Sequence, residues 1–541
     1  MKISLPAKPD TFTFIVLFFF SLLFAGLPNS KFLLSIGQIG LAFTFIYSHF
    51  KRKSNLHQQF RTLDKSSQWL FYSLVIYYFL HLIGMLYTDD RTSGMEDLRI
   101  KLPIIIIPLF AIFFSSIIKP YAVFLIRIFV ISVFITLLTG ILLISFENIQ
   151  ILNHYRNISP FISHIRFSLM MAFCVVILLN YNVFDNFYLR IIAALFIIWA
   201  LFYWGMFSGL VPLIVIFLMW LLSTMVRNAQ KYSRVIFGLA LTFMVFILIA
   251  AILSFNEYKN VNLPKEYDIT LKQERQAGWI NGADSIRENG YLIYDAVNLP
   301  GLIQAWNNRS TVKIDMHCDI WSQNIIYTLL RYLSSKGMIK DSLSVNQLSE
   351  NEIKAIEENI PNYLYLGMPV WKKRIFEIFW EWDTYLHFGL ADGKTTVMRY
   401  LYWNTAIKVI SRNFLTGVGN GDVKSAIYQA YKKYKVPLSS KYYSEPHNQW
   451  LTSGVAFGIW GIFSLLMVFI FAFYRAFKKN SPGYFAFLII GVISMMTDDT
   501  LETQIGVTFF ILLLSWFEWF DGFNAESETT KKIRPVKSRK I

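Results

Sequence analysis

The stretch SEPHNQWLTSGVAFGIWGIF, Ser444 to Phe463, sets His447 and Asn448 at the mouth of a run that soon turns wholly apolar. A histidine near its ordinary pKa, at the edge of a dry cavity, can take a proton from a hydroxyl. It can equally serve as an interfacial polar cap, and these residues alone leave both uses open. Upstream, MRYLYWNTAIKVISR reads as an amphipathic helix carrying Arg399 and Trp403. A guanidinium holds a phosphate through paired hydrogen bonds that a lysine cannot match. Gly417, Gly419 and Gly421 then make a turn that could present N–H groups to an anion at a helix N-terminus. No strand precedes that turn and no Lys-Ser/Thr pair ends it, so a nucleotide loop is a poor match and a plain turn the simpler reading. His164 and Arg166, and the cluster Asp498, Asp499 and Glu502, stand at the ends of other apolar runs. For the acidic cluster, helix capping competes with orienting His447 or Arg399 and with binding a divalent ion. His317, His387 and Cys318 show no ligand spacing.

The elements that must position these groups follow from composition. Of 541 residues, 55% are hydrophobic, 17% aromatic and 16% charged, against about 25% charged in soluble chains. That balance describes a membrane protein. Runs long enough to cross about 30 Å of hydrocarbon occur near 11–28, 32–49, 69–87, 102–118, 121–145, 165–181, 187–205, 208–226 and 235–255. A long polar stretch follows, then further runs near 450–474, 483–497 and 503–520. The expectation is an all-α polytopic protein with about twelve transmembrane helices and a large, mainly helical extracytoplasmic loop between spans 9 and 10. The first run lacks a small-x-small cleavage site in AGLPNSK and reads as a span.

Lysine and arginine sort the loops. Lys51, Arg52, Lys53, Arg61 and Lys65 fall on one side, with Arg227, Lys231 and Arg234, with Arg475, Lys478 and Lys479, and with the basic tail. Both termini are then cytoplasmic. The 256–446 loop holds 23 Lys/Arg against 20 Asp/Glu, so the formal charge of +16 marks topology and gives no case for nucleic acid. Inside the loop, SENEIKAIEENI opens with the capping box Ser349–Glu352. WSQNIIYTLLRYLSSKG has helical spacing and stops at Gly337. WKKRIFEIFWEWDTYLHF mixes cations and aromatics like a surface-lying helix, and YLIYDAV is the one strand candidate. The divisions are 1–255 (nine spans), 256–446 (loop domain), 447–522 (three spans) and 523–541 (basic tail). Apart from Arg127, near a span end, the spans are poor in charge, unlike an ion-coupled carrier.

In order and content, R-x-x-x-W (Arg399, Trp403), G-V-G-x-G-D (Gly417 to Asp422) and P-H-N-Q-W-L (Pro446 to Leu451), set after many spans and a long loop, resemble the O-antigen ligase/polymerase membrane glycosyltransferases. SHIRFSLMM and DDTLETQIG resemble segments of the Bacteroidetes-type branch. The resemblance implies transfer of glycan from an undecaprenyl-diphosphate carrier to an acceptor hydroxyl, on the periplasmic face of the bacterial inner membrane and among membrane lipid. It implies no cofactor and no metal. Arg399 resembles the arginine that engages the diphosphate, and His447 the base that activates the acceptor. Arg166, His164, Asn448, Trp403, Gly419, Asp499 and Glu502 are the substrate-binding candidates. Many members open a middle span with Ser-Arg; here Ser208 is followed by Gly209, and Arg166 is expected to supply the missing contact.

A ligase, joining finished polysaccharide to a lipid A–core or similar acceptor, is the first reading. A polymerase of lipid-linked repeats is its neighbour, and single transfer to protein is a further variant. An enzyme with carboxylates in an early outer loop would use TDD (88–90). A carrier or flippase for lipid-linked sugars would tolerate loss of His447.

Overall fold

The computed structural model describes residues 9–51, 56–146, 158–227, 233–268, 270, 286–315 and 324–520. The tail 523–541, His317, Cys318, Trp321, Arg52, Lys53 and Lys231 lie outside them.

The chain is an all-α polytopic membrane protein. Its first helices are α1 (Thr11–Gly26), α2 (Lys31–Lys51), α3 (Leu56–Arg61), α4 (Lys65–Gly84), α5 (Arg91–Lys101), α6 (Pro103–Phe113), α7 (Ser115–Ile118) and α8 (Ala122–Phe146). There follow α9 (His164–Asn180), α10 (Phe187–Tyr203), α11 (Phe207–Arg227) and α12 (Ser233–Val261). Short polar side chains set many starts: Asp10, Asp64, Asp90 and Asn186 each accept a backbone N–H of the first turn of α1, α4, α5 and α10, satisfying donors that the helix itself leaves unpaired. Among the described residues, Lys31–Phe50, Ser115–Ser145 and Ile459–Lys478 are long and apolar enough to span alone, and six shorter apolar helices accompany them.

Within 256–446, a two-residue hairpin, β1 (Arg287–Glu288) and β2 (Tyr291–Leu292), is what forms in and before YLIYDAV. Around it stand α13 (Leu299–Arg309), α14 (Asn324–Ser335), α15 (Ser342–Asn346), α16 (Glu350–Glu357) and α17 (Val370–Phe388). The Ser349–Glu352 capping box is formed, and Gly337 sits just past α14 at φ 70°. These elements close on one core that includes Trp306, Leu329, Ile356, Phe376 and Trp380. A second core joins α18 (Thr395–Arg412) and α19 (Val423–Lys433) to α20 (Gln449–Phe457) through Leu401, Ala406, Ile427, Tyr431, Val455 and Phe457. The remaining helices, α21 (Ile459–Lys478), α22 (Pro482–Thr497) and α23 (Gln504–Ser515), share a third core with the N-terminal ones, Phe20, Phe129 and Phe173 lying with Phe487, Phe510 and Phe517. Lipid tails are as apolar as these rings, so close packing holds the bundle.

The expected continuous span 450–474 is broken. Gly458, at φ 62°, separates α20 from α21, and a Cβ there would meet Phe414 O at 2.3 Å. The loop after α18 completes the break: Val418 and Gly419 donate their N–H groups to Val455 O and Ala456 O, and Ile459 N–H donates to Phe414 O. The last carbonyls of α20 thereby find partners in a loop, and the two helices can diverge.

The scarcity of charge in the bundle also has an exception. Lys101, at the end of α5, is 1% exposed and lies between Asp97 and Glu502, 2.6 Å from the latter. Asp97 also meets His81 Nδ1 at 2.6 Å and Asn420 Nδ2 at 3.2 Å. Removing one member of a buried charge set leaves the others uncompensated, which typically costs about 3–5 kcal/mol. Lys101→Ala is therefore expected to melt well below the wild type in detergent. Adding Asp97→Asn and Glu502→Gln should recover most of the loss, and a Lys101→Ala transition at the wild-type temperature would remove this anchor from the account.

Candidate active site

His447 follows a strap, 442–446, that leaves a short 3-10 turn (Ser440–Tyr442) and runs without regular structure between α19 and α20. The strap's carbonyls are held in sequence: Tyr402 donates its hydroxyl to Tyr442 O, Tyr428 to Tyr443 O, Tyr431 to Ser444 O, and the Trp403 indole to Pro446 O at 3.0 Å. Trp403 lies four residues beyond Arg399 on α18, and Tyr402 three, so all three share a helix face turned to the strap. His447 itself has φ 50°. A non-glycine residue pays about 1–2 kcal/mol for that left-handed conformation. Asn448 holds the turn on the other side, its Oδ1 accepting the N–H groups of Trp450 and Leu451 as the cap of α20.

The imidazole is half-buried. Its Nε2 lies 3.0 Å from Ser444 Oγ, and its Nδ1 is 3.8 Å from both Asp498 Oδ1 and Asp499 Oδ2. In the tautomer with the ring proton on Nδ1, which the nearby carboxylates favour, Nε2 accepts from the Ser444 hydroxyl. Burial pulls His447 below its ordinary pKa of 6.5; the Asp498 charge opposes this, while Arg399 and Arg166 add to it. The ring is therefore neutral at neutral pH, the form a base needs.

Arg399 makes no hydrogen bond or ion pair among the described residues. Arg166, in the first turn of α9, faces Asp498 Oδ2 at 3.6 Å, and its buried Nε has no partner among the described residues. His164 opens the same helix two positions earlier, on nearly the opposite side of the axis. The absent Ser-Arg arginine also has a steric reason. A Cβ on Gly209 would lie 2.5 Å from Ser168 O, so α11 meets the backbone of α9 where that side chain would begin, a half-turn from Arg166.

The acidic cluster divides. Asp499 Oδ1 accepts from Asn448 N–H at 3.0 Å and Thr452 Oγ1 at 2.6 Å. Glu502 accepts from Lys101 and, at 2.8 Å, from Gln449 Nε2. Both tie the segment after α22 to the start of α20. The glycine turn offers no anion nest: Gly419 N–H is taken by Ala456 O and Gly421 N–H by Thr88 Oγ1, so Gly419 has no N–H to give a substrate. The TDD segment is bound up as well, Asp422 accepting from Thr88 Oγ1, Asp89 N–H and Asp90 N–H. Among the described residues no three His, Cys, Asp or Glu side chains group as a metal site.

Three features escape a reading of the sequence. The tyrosines of the clamp lie on two separate helices, α18 and α19. Lys101 and Asp97 hide in EDLRIK, a charged turn at the edge of an apolar run. Glu445, two residues before His447, is half-buried, and burial with the nearby Glu502 charge pushes its carboxyl up.

Burial also raises Asp499, from 3.8 to about 7; Thr452 opposes the shift, and Glu502, Glu445 and Asp498 reinforce it. A folded-state pKa above the unfolded one gives stability that is complete below pH 3.8 and lost as pH rises through about 7. Asp499→Asn should flatten the decline in melting temperature over that window, and an unchanged slope would place the proton elsewhere.

Residues 362–466 match the family model described as O-antigen ligase. The match takes in Arg399, Trp403, the glycine turn, the strap, His447 and α20, and leaves Arg166 and the acidic cluster outside it. No curated protein matches the chain. Over those residues, built around the histidine strap of a helical membrane bundle, the chain is similar to the O-antigen ligase family.

Proposed function

We propose that the chain is a ligase-type glycosyltransferase, moving glycan from an undecaprenyl-diphosphate carrier to an acceptor hydroxyl such as that of a lipid A–core. The site would face the periplasm from the inner membrane, with both termini cytoplasmic and the 256–446 region over the outer face. The observation that carries this reading is one juxtaposition: a neutral histidine within reach of two guanidinium groups that are not fully satisfied. The leaving diphosphate gains negative charge as the glycosidic bond breaks, and fixed cations in a site closed to water stabilise it without reorganising. In this reading Arg399 and Arg166 fill that role. His447 takes the acceptor's proton on Nε2, the acceptor oxygen attacks the anomeric carbon from the face opposite the diphosphate, and the configuration inverts. Ser444 Oγ, 3.0 Å from Nε2, marks where an acceptor hydroxyl would stand.

Positioned general bases contribute roughly 10²–10⁴-fold, so His447→Ala at matched protein level should all but stop transfer. Cells carrying it are expected to keep long polymer on the polyprenyl carrier while lipid A–core goes bare. Single repeats persisting without long chains would make the enzyme a polymerase, and normal pools of both would return His447 to a capping role.

Ser444 raises a second reading, because serine, histidine and carboxylate in this order also build nucleophilic sites. A serine nucleophile would form a glycosyl-enzyme and retain configuration. The direct reading expects Ser444→Ala to keep transfer within about tenfold and the product inverted, since the acceptor replaces the serine hydroxyl at Nε2. Complete loss, with a trapped covalent sugar in the wild type, would support the serine.

A further inference from the structure

Asp498 carries the least settled carboxylate at the site. Its Oδ1 is 3.8 Å from His447 Nδ1 and its Oδ2 3.6 Å from the Arg166 guanidinium. Both are ion-pair separations too long for hydrogen bonds, and among the described residues no hydrogen bond reaches the carboxylate. Yet the side chain is only 13% exposed. Its neighbours differ. Asp499 is engaged by Asn448 and Thr452, and Glu502 by Lys101 and Gln449. Arg166 is as unsettled as Asp498, with a buried Nε that lacks an acceptor among the described residues.

We propose that Asp498 is shared between Arg166 and His447 in the empty enzyme and passes to His447 when a diphosphate takes Arg166, so that the base is fully armed only with donor in place. This rests on the donor reading above. A diphosphate offers a guanidinium paired, charge-assisted hydrogen bonds, including one to the idle Nε, and a carboxylate held at 3.6 Å offers none. Once Arg166 turns to the diphosphate, the imidazole of His447 is the partner left for Asp498 to approach. Closing the 3.8 Å gap to a hydrogen bond on Nδ1–H favours the imidazolium that forms as Nε2 takes the acceptor's proton.

The other groups facing His447 are Arg399 and Tyr402 from α18, Ser444 from the strap, and Asp499 beside Asp498. The transfer balances. The acceptor O–H bond breaks, its proton goes to Nε2, the new C–O bond forms, and the old one leaves its electron pair on the diphosphate. Asp498 is a positioning residue, because it touches only the base and the cation. The device would keep acceptor or water from being activated in a site without donor.

The test uses full-length protein in nanodiscs with labelled histidine, the His447 resonance being assigned by its loss in His447→Gln. His447 is titrated without and with saturating farnesyl diphosphate as the donor probe. In the wild type the probe should raise the His447 pKa by about one unit. Asp498→Asn should start lower and rise by less than half as much, since only the direct charge of the diphosphate remains. Arg166→Gln should start higher than the wild type, its carboxylate being already free. Asp498→Glu, which keeps the charge, should restore most of the rise and guards against a misfolded asparagine variant. A rise in Asp498→Asn equal to the wild type, or an Arg166→Gln value at or below it, would overturn the sharing. A probe that binds the wild type nowhere near His447 would overturn the donor reading itself.

Discussion

A strap without regular structure must find partners for its carbonyls where the chain passes from loop into buried helix, and the rest of the site depends on how it does so. Buried carbonyls left without donors cost as much as lost hydrogen bonds. Tyr402, Tyr428, Tyr431 and Trp403 supply four donors to 442–446, drawn from α18 and α19. The clamp fixes the strap's register, and with it the direction in which His447 leaves the backbone. It also explains why a histidine tolerates φ 50°: the backbone is held on one side by the clamp and on the other by the Asn448 cap. Arg399 rides on the same face of α18 as Tyr402 and Trp403, so the clamp that places the histidine also places the cation.

The second constraint is electrostatic. Several carboxyl groups gather around one histidine, and like charges in a poorly solvated place cannot all remain ionised and unpaired. The site resolves this by giving each a different partner. Glu502 is matched to Lys101, Asp499 is pushed up towards neutrality while it braces Asn448 and Thr452, and Asp498 is left between Arg166 and His447. The close approach of α11 at Gly209 to the Ser168 backbone keeps a side chain out of that contact, and α9 contributes the cation from its own first turn.

Much of this was legible in the residues. The apolar runs foretold most of the helices, because membrane helices need length and hydrophobicity more than pattern. Ser349–Glu352 and Gly337 marked helix ends by local chemistry that tertiary structure does not override. R-x-x-x-W and P-H-N-Q-W-L singled out residues that the fold brings near one another, Arg399, Trp403 and His447. Other features were not legible. The break at Gly458 depends on Phe414, more than forty residues upstream, and a glycine in an apolar run reads equally well as a packing contact. Gly419 looked available to an anion because a sequence cannot show that Ala456 O already takes its N–H. The clamp and the Lys101 anchor are long-range pairings with no periodic signal, and the division of labour among the three acidic residues follows from partners on other helices.

The central claim is that His447 does chemistry and is not there merely to shape the strap. The left-handed backbone at position 447 suits glycine, so His447→Gly removes the imidazole without straining the fold. The most direct test measures donor binding and transfer separately in that variant, with purified protein and polyprenyl-diphosphate-linked glycan. The account predicts donor affinity within about twofold of the wild type, set by the arginines, and transfer lost. Transfer persisting at a substantial rate in His447→Gly would contradict it.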